Sequence, residues 1–148
     1  MSVWFENKNS INCDIQKIGE SYSDPGKFYT DIVRLMPGLT SVELIEEGID
    51  SVVLKTNEGL MRRSNIKKTI SNESIIVEYD EDYQAGGMIN VKSHCLDEFH
   101  ASHAMVQHRI ILSDVKSPGF LGFFYRNFGK SRIGNSLLNS YKSYFEML

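Results

Sequence analysis

The 148-residue chain has no uninterrupted apolar stretch approaching the ~20 residues that span a bilayer, so no transmembrane helix is expected. Its first residues, "MSVWFENKNS", lack both the basic and the apolar blocks of a secretory signal. An excess of positive charge is also missing. Sixteen Lys and Arg stand against 19 Asp and Glu, a formal net charge of −3, and acidic runs offset the pairs Arg62-Arg63 and Lys67-Lys68. No nucleic-acid partner is expected from such a surface. Cysteine is scarce: Cys13 and Cys95 lie far apart without CxxC spacing, which fits reduced thiols and a cytoplasmic location. There is no G-x-S-x-G, P-loop or H-E-x-x-H, and no helix follows Gly86-Gly87 to cradle a phosphate. Internal repeats and low-complexity tracts are absent, so residues 1–148 read as one domain.

Two clusters invite a metal reading and do not support it. His94, His100, His103 and His108 fall on different faces and turns of the expected strands, whereas a transition metal needs three or four convergent ligands. The acidic run Glu78, Asp80, Glu81 and Asp82 lacks the glycine and terminal glutamate of a calcium loop. Neither a metal nor another cofactor is expected.

What the chain does have is hydrophobic residues at 41%, charged residues at 24%, and a clear change of period along its length. Residues 3–13 read as a strand. Helical spacing follows in two pieces, broken at Asp24-Pro25-Gly26, where Asp24 caps and Pro25 opens the second piece. That piece ends at Pro37-Gly38. From residue 40 to 113 the period is two, giving six strands with joints at Glu47-Gly48, Asn57-Glu58-Gly59, Ser71-Asn72, Ala85-Gly86-Gly87 and His100-Ala101. Joints this short make consecutive strands antiparallel hairpins. Ser117-Pro118 then opens a C-terminal helix. Its residues Ile133, Leu137, Tyr141, Tyr144, Phe145 and Leu148 share one apolar arc, while Phe120, Leu121, Phe124 and Phe128 occupy another. A kink is expected between Arg126 and Gly134.

This order resembles the START-like (SRPBCC, helix-grip) superfamily, which includes the birch-pollen-allergen relatives and the polyketide cyclase/dehydrase-like proteins. The resemblance runs over the whole chain and rests on "DPGKFYTDIVRLMPGLTSVELIEEG" after the first strand and "KSPGFLGFFYRNFGKSRIGNSLLNSYKSYFE" at the end. The former stretch is also similar to the G-type accessory protein family of carbon-monoxide dehydrogenase. The resemblance implies an α+β helix-grip fold: a curved antiparallel seven-stranded sheet wrapped around a long C-terminal helix, with two short helices after the first strand. It also implies an apolar, ligand-sized cavity between sheet and helix.

Residues opposite one another in a hairpin share a face, so the joints yield expected registers. Arg62 is expected opposite Glu81, Ser64 opposite Tyr79, Ile66 opposite Val77, and Ser93 opposite His108. Leu54 is expected near Arg62, Val52 near Ser64, and Tyr79 beside Ser93, which makes a group of Tyr79, Ser93 and His108. The inner face then carries Leu54, Arg62, Glu81, Val91, Ile110, Val52, Ser64, Tyr79, Ser93, His108, Ile66, Val77, Cys95 and Val106. The outer face carries Arg63, Lys67, Glu78, Asp80, Asp82, Lys92, His94, Gln107 and Arg109. Buried polar groups need partners, so Arg62 and Glu81 are expected as charged anchors, and Tyr79 and His108 as hydrogen-bonding groups. The expected ligand-binding set is Leu54, Arg62, Ser64, Ile66, Val77, Tyr79, Glu81, Val91, Ser93, Val106, His108, Phe124, Phe128 and Leu137.

The function expected from this interior is non-enzymatic binding or transport of a hydrophobic small molecule, lipid-like or polycyclic. A cyclase/dehydratase-type enzyme with His108 and Tyr79 moving protons is the alternative, as is an accessory role in assembling a redox enzyme. Further expected partners are a transiently touched membrane and a second copy of the chain.

Overall fold

Alternating apolar and polar residues build seven strands, and three helices are described with them. In chain order these are β1 (Val3–Ile11), α1 (Ile15–Ser21), α2 (Pro25–Arg34), β2 (Val42–Glu47), β3 (Val52–Thr56), β4 (Gly59–Ile70), β5 (Ser74–Ala85), β6 (Ile89–Ser102), β7 (Met105–Lys116) and α3 (Lys130–Glu146). The structure is a computed structural model, described here over residues 1–119 and 129–148. Phe120, Leu121, Phe124, Phe128 and the first part of the expected kink, residues 126–128, lie outside the described residues.

The strands form one antiparallel sheet in the order β1-β7-β6-β5-β4-β3-β2. Tight turns make β2 to β7 a meander of hairpins, and β1 closes the far side by pairing with β7. Both helices between β1 and β2 start on aspartate caps. Asp14 accepts from Gln16 N at 2.9 Å, and Asp24 accepts from Lys27 N at 3.3 Å with Pro25 opening α2. The long helix α3 buries Leu137, Leu138, Tyr141 and Phe145 on one face. Leu148, expected on that face, is 52% exposed beyond the helix end. Helix and sheet approach closely at Gly134, where any Cβ would collide with the Phe5 ring of β1. No helix among the described residues is long and apolar enough to cross a membrane.

Four registers differ from expectation. The β3–β4 hairpin pairs Leu54 with Met61 and Val52 with Arg63, not with Arg62 and Ser64. The β6–β7 turn is at His103-Ala104, with His103 at φ +56°, so β6 runs three residues past the expected joint and Phe99, not Ser93, pairs with His108. The β5–β6 hairpin pairs Tyr79 with Cys95 and Glu81 with Ser93. In β4 a bulge between Ser64 and Lys67, with Asn65 at φ +53°, adds one residue to the strand. Arg62 therefore pairs with Asp82 and Ser64 with Asp80, and both side chains are exposed. Arg63 takes the inward position and is buried. An extra residue reverses the faces of everything beyond it.

Candidate ligand-binding site

The space between sheet and α3 has two unlike ends. One is filled by rings. Tyr22 and Phe28 from the first helical pair, Phe99 from β6, and Tyr141 and Phe145 from α3 pack with centroid separations of 4.5 to 6.2 Å. Within this cluster lies a fully buried polar group. His108 Nε2 meets Asp97 Oδ1 at 2.7 Å, and the Tyr141 hydroxyl donates to Asp97 Oδ2 at 3.1 Å. The imidazole stacks on Phe99 at 4.4 Å with the planes 7° apart. Burial pushes the Tyr141 phenol well above its ordinary pKa, so it stays a neutral donor.

The other end is hollow. A groove of about 320 Å³ opens between the segment after α2, the ends of β4, β5 and β6, and the start of α3. Met36, Pro37, Leu39, Met61, Tyr83, Ile89 and Ile133 form its apolar walls, and Glu58 and Arg132 stand among its polar lining. Tyr83 donates to Glu58 at 2.8 Å, and its phenol is pushed up to about 12, chiefly by burial and then by that carboxylate. A deeper void of about 50 Å³ shares Met36, Met61, Glu81 and Ile133 with the groove and adds Arg63, Tyr79, Val91, Ser93, Cys95 and Leu137.

Arg63 is the unusual member of this lining. Only 2% of its side chain is exposed, and its guanidinium lies against the rings of both Tyr29 and Tyr79, 4.7 Å from each centroid. Its Nε donates to Glu81 Oε1 at 3.0 Å, whereas Nη1 has no hydrogen-bond partner among the described residues. Burial drives the Tyr79 phenol and the Cys95 thiol well above their ordinary pKa values, so neither serves as an anionic nucleophile or base here.

Of the residues expected from sequence, Tyr79, Glu81, Val91, Ser93 and Leu137 line the void. Leu54, Ile66, Val77, Val106 and His108 are inside, but they belong to the packed core and line neither the groove nor the void. Arg62 and Ser64 face outward because of the β4 bulge, so the expected Arg62–Glu81 pair is formed by Arg63 instead. The expected group of Tyr79, Ser93 and His108 is not formed; His108 meets Asp97. Phe124 and Phe128 lie outside the described residues. Arg63, Asp97 and Cys95 are the polar or reactive residues that the expected ligand set omits. Asp97 had a readable signal: it shares strand parity with Cys95 and Phe99, both buried.

No family model matches the sequence, and no curated protein matches it either. Solved structures do. A STAR-related lipid transfer protein from Xanthomonas axonopodis superposes with a TM-score of 0.63 at 9% identity, over 95% of this chain and 84% of that one. An aromatase/cyclase from a Streptomyces species superposes with a TM-score of 0.55 at 12% identity, over 96% and 92% of the two chains. The chain has the helix-grip fold of these two structures. A hypothetical protein of Helicobacter pylori shares it, with a TM-score of 0.65 at 9% identity over 95% and 86% of the two chains. Identities this low speak to the helix-grip fold alone. The likeness to the carbon-monoxide dehydrogenase accessory proteins gains no support from these three structures.

Proposed function

We propose that the chain is one ligand-binding domain that holds a hydrophobic small molecule at the hollow end of the helix-grip interior. The observation that carries this reading is the groove of about 320 Å³ standing over a void that contains a buried, incompletely bonded arginine. Apolar ligand surface buried against Met36, Leu39, Met61, Ile89 and Ile133 would supply affinity at ~25 cal/mol per Å². The lipid transfer protein of the same fold adds support at the level of architecture.

A cyclase-type reaction has the aromatase/cyclase neighbour in its favour. It needs a proton-moving group at the cavity. Tyr79 lies there with a phenol held neutral, and His108 is sealed behind Phe99 and Tyr141. Binding without turnover is therefore the better-supported reading.

The test is native mass spectrometry of the chain purified from its own host, followed by solvent extraction. The expected result is a bound apolar small molecule, lost when Met61→Asp places a charge in the groove wall. A chain that carries nothing and does not bind a hydrophobic fluorophore would overturn the reading.

A further inference from the structure

The geometry around Arg63 also bears on the kind of polar end the cavity takes, an inference that rests on the ligand-binding reading above. Tyr29 and Tyr79 both lie against the guanidinium, 4.7 Å from its carbon, and the N–H bonds of a planar guanidinium point outward in its own plane. Glu81 takes Nε, and Nη1 is left over. A guanidinium can neither accept a hydrogen bond nor shed its proton at any ordinary pH, and a buried unused donor is costly. The void beside it measures about 50 Å³. A water molecule occupies ~30 Å³ in the liquid, so there is room for one small polar group.

We propose that this group is an uncharged carbonyl oxygen, of a ketone, ester or amide, at the leading end of an otherwise apolar ligand. Two observations choose it over the other acceptors. Arg63 and Glu81 already cancel in charge, and both line the void. A carboxylate brought to Nη1 would leave one net negative charge among Met36, Met61, Val91 and Leu137, which is costly. An alcohol would bring a donor of its own. Yet among the described residues the one orphaned buried polar side-chain atom on the void's lining is Arg63 Nη1, itself a donor. An acceptor without a proton and without a charge completes the site.

The experiment uses the full chain and four probes with one alkyl body: a long-chain methyl ketone, the matching primary alcohol, the matching fatty-acid anion and the matching alkane. Affinities are read by displacement of a hydrophobic fluorophore. The ketone is expected to bind roughly tenfold tighter than the alcohol and the alkane, with the anion weaker still. Glu81→Gln keeps the shape of the wall and removes the counter-charge, and it should tighten binding of the anion about tenfold. Arg63→Met, checked for folding by circular dichroism, should erase the advantage of the ketone over the alkane. A wild-type preference for the anion or the alcohol overturns the proposal, as does a Glu81→Gln variant that gains nothing for the anion. If no probe binds, the alkane included, the ligand-binding reading itself falls and this inference falls with it.

Discussion

Asp97 and Arg63 are both buried charged-type side chains on the inner face of one sheet, and they are finished in opposite ways. Asp97 gives one oxygen to His108 and the other to Tyr141, inside a cluster of rings, and lines neither the groove nor the void. Arg63 gives Nε to Glu81, keeps Nη1 unused, and borders a void that shares walls with an open groove. His108 has an unused nitrogen too, Nδ1, but it belongs to the packed ring cluster and not to the lining of the groove or the void. The difference separates a polar group that secures the packing from one whose bonding is completed from outside.

The largest expected effect breaks the closed end. Asp97→Ala strands His108 Nε2 and the Tyr141 hydroxyl as buried donors at once. It should cost about 3–5 kcal/mol in urea unfolding, within the range for removing one member of a buried pair. Asp97→Asn keeps an amide oxygen for one of the two donors and should recover part of that loss. A cost below about 1 kcal/mol for the alanine variant would show that the group does not secure the core.

A smaller effect is expected at the hollow end. Arg63→Met gives up the contacts with Tyr29 and Tyr79 but also removes the orphaned donor, and Glu81, 21% exposed, can be hydrated from the groove. The expected stability loss is about 1–2 kcal/mol, clearly below that of Asp97→Ala. Equal losses in the two variants would erase the distinction between the ends.

Parity explains how much of this was legible in the chain. The β5–β6 hairpin slips two residues from its expected pairing, and β6–β7 slips six, from Ser93 to Phe99 opposite His108. Even slips keep every side chain on its face, so Tyr79, Val91, Ser93, Cys95 and His108 were placed inward correctly although their partners were not. The β4 bulge is an odd slip, and it exchanged Arg62 for Arg63. Its trace in the sequence is the change of parity from Met61 to Ile66, both inward, around an asparagine that tolerates positive φ. How far rings fill the interior was not legible. That depends on how the rings of α2 and α3 fill the space, a matter of three-dimensional packing that alternation does not encode.

An exposed copy of the Asp97–His108 contact sharpens the comparison at the smallest scale. On the outer face His94 Nδ1 meets Asp80 at 2.8 Å and Nε2 meets Glu78 at 3.1 Å, with Asp80 half exposed. The hydrogen bond to Asp80, and then that to Glu78, raises the His94 pKa against a lowering by partial burial. The bond from His94, with a second from Asn65, lowers that of Asp80. A histidine raised on folding adds stability that is full below its unfolded pKa of ~6.5 and is lost as pH rises through the folded value. An aspartate lowered on folding adds stability that is full above its unfolded value of ~3.9 and is lost as pH falls through the folded one. Both contributions are therefore present together between about pH 4 and 6.5. Solvent screens the pair, so His94→Gln should cost only about 0.5 kcal/mol in that window and less on the alkaline side. Thermal unfolding of the wild type and the variant across pH 4–9 checks this. A difference that stays flat across the range would show that the outer contact acts through shape rather than charge.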